Sequence, residues 1–284
     1  MPKKTIIITG ATSGIGEQTA LALARNGDDL FLLVRNIAKG ERVKRYILVH
    51  TRNPNIYLIE CDMSSLASVK KATEQIRASI DCINILVNNA GSIFPKRELS
   101  KDGFEMTFAL NHLSHFLLTL NLMPLLQKGK ARIVNVSSAA HKAAKPNLDD
   151  IQIEKGYKSV KAYADAKLFN IYFTQSLAQK YAAAGITAYS LHPGLVNTQF
   201  GAAYKGIFKL LLQGMRRFMI TAEQGAETSV YVATEPGLEK MNGSYFKKKK
   251  VAKTAHIANN VNIREQLWDK SNELVKPFLV RTAL

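Results

Sequence analysis

Short, unbroken apolar runs alternate with longer stretches of helical spacing along almost the whole chain, and this alternation constrains the fold more than any other feature. Thr5–Thr9, Leu30–Val34, Ile56–Glu60, Ile83–Val87, Arg132–Val136 and Ile186–Leu191 read as strands, with Tyr245-Phe246 adding a short seventh. Between them, Ile15–Arg25, Ile37–His50, Leu66–Ile80, Gly103–Leu126 and Tyr157–Ala184 carry helical patterns. Strands that are apolar at successive positions are buried on both faces. About seven such strands, traded with helices, predict an α/β fold: a doubly wound parallel sheet with right-handed crossovers. No linker or composition shift divides the chain, so residues 1–284 read as a single domain. Residues 199–220 interrupt the alternation and are expected to form an insertion near the ligand mouth.

Composition removes several classes of function. Apolar residues make up 46% of the 284 and charged residues 21%, which is globular rather than disordered. Two cysteines, Cys61 and Cys82, are too few for a disulfide framework and suggest a reducing compartment. The start Met1-Pro2-Lys3-Lys4 runs directly into the first strand, and no window reaches the length of a membrane span. A soluble, cytoplasmic chain is expected. The net charge of +17 gathers partly in Lys247–Lys250, yet no zinc-finger or aromatic RNA-binding signature accompanies it, so no specific nucleic-acid partner is expected. No histidine–cysteine cluster has metal-ligand spacing, and no metal is expected.

Thr9-Gly10-Ala11-Thr12-Ser13-Gly14-Ile15-Gly16 closes the first strand and opens the first helix. Small residues there let the backbone turn tightly and approach a pyrophosphate, while the helix N-terminus offers free N–H groups. At the first strand–helix junction of an alternating chain, this spacing points to a dinucleotide and a Rossmann-type sheet. The end of the second strand discriminates between cofactors. It reads Val34-Arg35-Asn36, with no carboxylate for a ribose 2′-hydroxyl and with an arginine suited to a 2′-phosphate. NADP(H) is therefore expected over NAD(H), with Asn36 and Lys39 as helpers. Asp62, with Met63 beside it, follows the third strand, where a carboxylate can accept from an adenine amino group.

Tyr163-Ala164-Asp165-Ala166-Lys167 places a tyrosine and a lysine one helical turn apart. A tyrosine with a pKa near 10 moves protons poorly at neutral pH, and a nearby ammonium is expected to lower it. Ser138 ends the fifth strand, Asn88-Asn89-Ala90-Gly91 the fourth and His192-Pro193-Gly194 the sixth. All lie at the carboxyl edge of the sheet, where open α/β folds bind ligands. Asn111 follows in the long fourth helix.

Taken in order over residues 5–198, these motifs resemble the short-chain dehydrogenase/reductase family, and within it the retinol-dehydrogenase-like branch. Asp102-Gly103-Phe104-Glu105, Asn111-His112-Leu113-Ser114-His115-Phe116 and Gly243-Ser244-Tyr245-Phe246 extend the similarity. The resemblance implies Tyr163 as general acid in carbonyl reduction and base in alcohol oxidation, with Lys167 lowering its pKa and binding the nicotinamide ribose. It implies that Ser138 holds the substrate oxygen and that Asn111 holds a helix distortion and a relay water. Backbone after Pro193-Gly194, through Val196 and Thr198, would meet the carboxamide. Ala166 departs from the pattern, standing where many relatives carry serine.

The function so implied is hydride transfer between NADP(H) and an apolar aldehyde, ketone or alcohol, including retinoid-like ones, with a homodimer or homotetramer as the family's assembly. The alternative is an NADPH-binding regulator or sensor with little turnover. The apolar stretch within 199–220 reads as a substrate lid, a docked or interface helix, or a membrane-surface helix. His141, Phe94 and Tyr157 are further candidates for the pocket wall.

Overall fold

The computed structural model describes residues 3–196 and 219–280. Thr198 and nearly all of the expected 199–220 insertion lie outside the described residues. In chain order the described elements begin β1 (Thr5–Thr9), α1 (Gly14–Ala24), β2 (Asp29–Val34), α2 (Ile37–Thr51), β3 (Ile56–Glu60), α3 (Leu66–Ser79) and β4 (Ile85–Asn88). The long fourth helix follows as α4 (Met106–Phe108), a π-helical turn over Ala109–Leu113, and α5 (Ser114–Lys128). Then come β5 (Arg132–Val136), α6 (Ser159–Tyr181), β6 (Thr187–His192), α7 (Ala222–Thr234), β7 (Tyr245–Lys247), β8 (Lys250–Val251) and α8 (Val261–Val275).

The sheet runs β3-β2-β1-β4-β5-β6-β7-β8, parallel except for β8, which pairs antiparallel with β7. The order reverses between β1 and β4, so the crevice outside their carboxyl ends is the topological switch point. Successive residues of each inner strand feed opposite layers. Ile7, Leu33 and Leu86 join one core with Phe116 of α5 and Phe169 of α6. Ile6, Ile8, Leu32 and Val87 join the other with Leu23 of α1 and Val43 of α2. Burial on both faces accounts for the unbroken apolar runs.

Two expectations need correcting. The edge strand β3 is not buried on both faces: Tyr57 is 43% exposed, with its ring stacked on Phe31 of β2 at the sheet margin. The sheet has eight strands rather than about seven. Lys250–Val251 is two residues long and exposed, so no apolar pattern announces it. A short, lysine-bearing strand suits a sheet edge, where an open apolar ladder would invite pairing with other chains. Among the described residues, no helix is long and apolar enough to cross a membrane.

Candidate active site

A cavity of about 560 Å³ opens at the carboxyl edge of the sheet, between the glycine loop and the ends of β4, β5 and β6. The loop forms one wall with Gly10, Thr12, Ser13, Gly14, Ile15 and Gly16. Gly16 has no room for a side chain: a Cβ there would lie 2.2 Å from the Gly10 carbonyl oxygen and 2.5 Å from Asn89 Nδ2. Gly10 adopts φ +68°, and its Cβ would press on Ala90 Cα at 2.8 Å. Ser13 occupies the N-cap of α1 without a side-chain capping bond, leaving the first-turn N–H groups to a ligand.

Thr9, the last residue of β1, fastens this loop to the next. Its hydroxyl oxygen accepts from the Asn89 and Ala90 N–H groups at 2.9 and 3.0 Å. Asn89 Nδ2 returns a bond to the Thr9 carbonyl at 2.9 Å. Asn89, Ala90 and Gly91 thus line the cavity on a pinned backbone.

At the far end Arg35 lines the same cavity. Asn36 does not line it; its side-chain oxygen caps α2 by accepting from the Lys39 N–H at 2.9 Å. Asp62 and Met63 also lie away from the cavity lining. One Asp62 oxygen accepts from the Ser64 hydroxyl and N–H at 2.7 and 3.0 Å, and Met63 is buried against Cys61. The structure supplies a residue the sequence did not single out as part of this end. Arg42 on α2 donates to the Thr12 carbonyl at 3.1 Å while pairing with Glu17 of α1. Only the packing of α2 beside α1 brings it there.

The side chains that carry chemistry converge on the other wall. Ser138 and Tyr163 share a hydrogen bond, and both face the cavity with Lys167. Lys167 Nζ lies 5.4 Å from the Tyr163 ring centroid and donates to the Val136 carbonyl at 3.1 Å. The end of β5 also grips α6 through Ser137, whose hydroxyl donates to the Lys167 carbonyl at 2.6 Å, a contact the sequence did not flag. Asn111 stands inside the π-helical turn and donates from Nδ2 to the Ser92 and Thr107 carbonyls, both at 2.8 Å. Its Oδ1 is buried without a hydrogen-bond partner among the described residues. A Cβ on Gly91 would sit 2.6 Å from that oxygen and 3.2 Å from Lys167 Nζ, so the bare glycine keeps a passage between them.

Burial pushes the Lys167 ammonium down to about 7. It pushes the Tyr163 phenol upward, and the hydrogen bond from Ser138 only partly opposes this. The expected lowering of Tyr163 by Lys167 is therefore not what the chain alone produces. A lysine whose own charge is disfavoured by burial, and which commits one N–H to the Val136 carbonyl, has its support for the phenolate limited. His192 lines the cavity in neutral form, held down to about 4 by burial and then by Lys247.

Pro193, Gly194 and Val196 complete the lining. Gly194, at φ +104°, carries no Cβ to meet Ile220, which bridges back to Val196 in parallel fashion. Of the other candidates for the wall, His141 is fully buried with both ring nitrogens engaged, by the Ser138 carbonyl at 2.6 Å and the Ala255 N–H at 3.1 Å. Phe94 and Tyr157 bond to each other outside the lining. Among the described residues no three metal-ligating side chains come together.

The cavity fits a nicotinamide dinucleotide on its own features: a cradle that a Cβ would fill, free N–H groups at a helix start and a lysine–tyrosine–serine group at the opposite wall. The short chain dehydrogenase profile matches residues 4–205. The chain belongs to the short-chain dehydrogenase/reductase family. It is an oxidoreductase of alcohol and carbonyl groups in a family that uses a nicotinamide cofactor, and it is retinol-dehydrogenase-like within that family. It is 37% identical to human retinol dehydrogenase 12 over 97% of this chain and 87% of that protein. It is also 37% identical to human polyprenol dehydrogenase, over 96% of this chain and 85% of that protein. A solved structure of an uncharacterised protein from Mycobacterium paratuberculosis superposes with a TM-score of 0.78 at 28% identity, covering 97% of this chain and 96% of the other.

Proposed function

We propose that this protein is an NADP(H)-dependent reductase and dehydrogenase of apolar carbonyl and alcohol compounds, with Tyr163 as the proton-transfer residue. The observation that carries the reading is that Arg35 and the Tyr163–Ser138–Lys167 group line opposite ends of one cavity. Arg35 supplies the fork of donors that a 2′-phosphate takes, with no carboxylate at the end of β2 to compete. The bound nicotinamide would supply or accept the hydride. Gly10 to Gly16 would seat its pyrophosphate, and Lys167 its ribose.

The chain's own part is proton handling. A raised phenol stays protonated at neutral pH, so Tyr163 is set to give its proton to a carbonyl oxygen. The Ser138 hydroxyl, hydrogen-bonded to that phenol, steadies the same oxygen as charge gathers on it. Lys167 is charged below about pH 7, so its support for phenolate weakens as pH rises through that value. Two relatives named for retinol and polyprenol support an extended isoprenoid-type chain as the apolar part of the substrate.

The test is a binding titration with NADPH and NADH, followed by turnover of a panel of isoprenoid, retinoid and short aliphatic aldehydes. Tighter binding of NADPH and turnover of the apolar aldehydes is the expected result. Tyr163→Phe should retain binding and lose on the order of a thousandfold in kcat. Equal affinity for NADH would remove the role of Arg35. NADPH binding without turnover across the panel would make the chain a sensor.

A further inference from the structure

His115 belongs to none of the roles above, yet it is buried between Thr9 at the end of β1 and Asn111 in the π-helical turn. One ring nitrogen, Nε2, lies 3.0 Å from the Thr9 hydroxyl, and the other, Nδ1, lies 3.2 Å from the Asn111 carbonyl. The proton count is decided by the partners. A carbonyl oxygen only accepts, so Nδ1 carries the hydrogen. The Thr9 oxygen already accepts the Asn89 and Ala90 N–H groups, which leaves its single proton to give. Two acceptors compete for it, Nε2 at 3.0 Å and the Val87 carbonyl at 3.4 Å, and the shorter contact takes it. The ring is then neutral, with Nδ1 donating and Nε2 accepting, and burial holds it so by pushing its pKa down to about 3. An imidazolium would point a second N–H at an oxygen whose lone pairs are both in use.

We propose that His115 is a positioning residue that spaces the cofactor loop from the catalytic helix turn, through Thr9 on one side and Asn111 on the other. The proposal rests on the oxidoreductase reading above. Its physical content is a continuous hydrogen-bonded path. It runs from the Asn89–Ala90 backbone, which lines the cavity, through the Thr9 hydroxyl and the imidazole to the backbone of Asn111. The π-helical turn leaves the backbone bonding around Asn111 irregular, and a side-chain donor one turn later braces it. Thr9 and His115 lie 106 residues apart in the chain, and a rigid planar ring sets the separation of the β1 end from the π-helical turn.

The two bonds can be cut one at a time. The side-chain amide of asparagine stands where Nδ1 stood, and that of glutamine reaches where Nε2 stood. His115→Asn keeps a donor for Asn111 and loses Thr9; His115→Gln keeps a partner for Thr9 and loses Asn111; His115→Phe loses both. Three quantities are read for each: NADPH affinity by titration, kcat at saturating NADPH, and the melting temperature. The Gln variant should hold affinity within about twofold while kcat falls about tenfold, the worth of one buried hydrogen bond. The Asn variant should recover most of the kcat lost in the Phe variant while affinity falls several-fold. Adding Thr9→Val to His115→Asn should cost little further affinity, since that bond is already gone.

If affinity and kcat fall together in all three variants, in step with melting temperature, His115 is a core residue and the proposal is overturned. It is overturned equally if none of the variants moves either quantity. The affinity comparison is read from binding alone, so it judges the Thr9 half of the proposal even in a protein that binds NADPH and turns nothing over. That last outcome would overturn the oxidoreductase reading separately.

Discussion

The two walls of the cavity are built on opposite principles. The glycine-loop wall is mostly backbone: Gly10 and Gly16 let chain segments touch, and the first turn of α1 presents N–H groups. The opposite wall is side chains, Ser138, Tyr163 and Lys167, with the proton affinities of Tyr163 and Lys167 moved by burial. Space is the scarce quantity at the first wall and solvation at the second. Substitutions at the first should therefore cost fold and binding together. At the second they should separate stability from activity, and Lys167 gives the sharpest case.

Lys167→Met should lose on the order of a thousandfold in activity, by removing the group that would seat the nicotinamide ribose and, below about pH 7, the charge beside Tyr163. The same change should stabilise the protein. Burial lowers the ammonium from 10.5 to about 7, so the native state bears the cost of holding a charge at any pH below about 7. Above that value the folded lysine is neutral, and the cost fades until pH 10.5, where the unfolded chain also loses its proton. Allowing for the lost bond to Val136, the gain at pH 6 should be on the order of 2 kcal/mol. Thermal melts of both proteins from pH 6 to 10 test this: the difference should be largest at pH 6 and close as pH rises. A Met variant that melts lower at pH 6 would show that Lys167 contributes more through packing than it costs through charge.

Gly16→Ala should do the reverse. The added carbon meets the Gly10 carbonyl and Asn89 Nδ2, neither of them the free end of a flexible chain, because Asn89 is itself bonded to the Thr9 and Gly10 carbonyls. Affinity for the dinucleotide should fall at least about tenfold, and stability by about 1–3 kcal/mol. Titration and melting read the two effects on one sample. If binding weakens with the melting temperature unchanged, the loop absorbs the carbon and space is not what limits the first wall.

Arg35 belongs to the first wall by position and to the second by character, because it is an exposed side chain acting through charge. Arg35→Ser should lower the ratio of NADPH to NADH affinity by about tenfold or more, since a 2′-phosphate loses its charged fork and NADH loses nothing. Melting temperature should stay put. An unchanged ratio would move phosphate recognition elsewhere, and Arg42 beside Thr12 is the residue to test next.

The contrast also explains what the sequence revealed. The glycine loop is a local pattern, and its eight residues announce both the turn and its purpose. The inner strands are equally plain, because burial on two faces leaves few polar positions, such as Asn135 in β5 and Ser190 in β6, to blur them. The Tyr163–Lys167 spacing is readable, but its electrostatics are not, since burial depends on everything packed around α6. Asn36 and Asp62 show the same limit from the other side. Both are short polar residues just after strand ends, and one side-chain oxygen of each accepts from a local N–H or hydroxyl group, a contact the sequence does not announce. Contacts such as Ser137 with Lys167 and Thr9 with His115 join residues 30 and 106 positions apart. No window on the sequence spans them.

The smallest effect expected lies just outside the catalytic wall, in the hairpin between Tyr245–Lys247 and Lys250–Val251. Its two connecting residues, Lys248 and Lys249, take φ of +52° and +61°, the left-handed region that two-residue hairpins demand and that asparagine and glycine fill most easily. Lys249 has a compensating bond, pairing with Glu227 at 2.8 Å. Lys248 has no ion pair among the described residues, so its backbone strain has no such return. Lys248→Asn should stabilise the protein by about 0.5 kcal/mol, a rise of a degree or two in melting temperature. Turnover and cofactor affinity should not change, because the residue touches neither wall. A variant that gained stability but lost activity would extend the catalytic wall along β7, where Lys247 is already in register with His192, and would make the lysine hairpin part of the site rather than a guarded sheet edge.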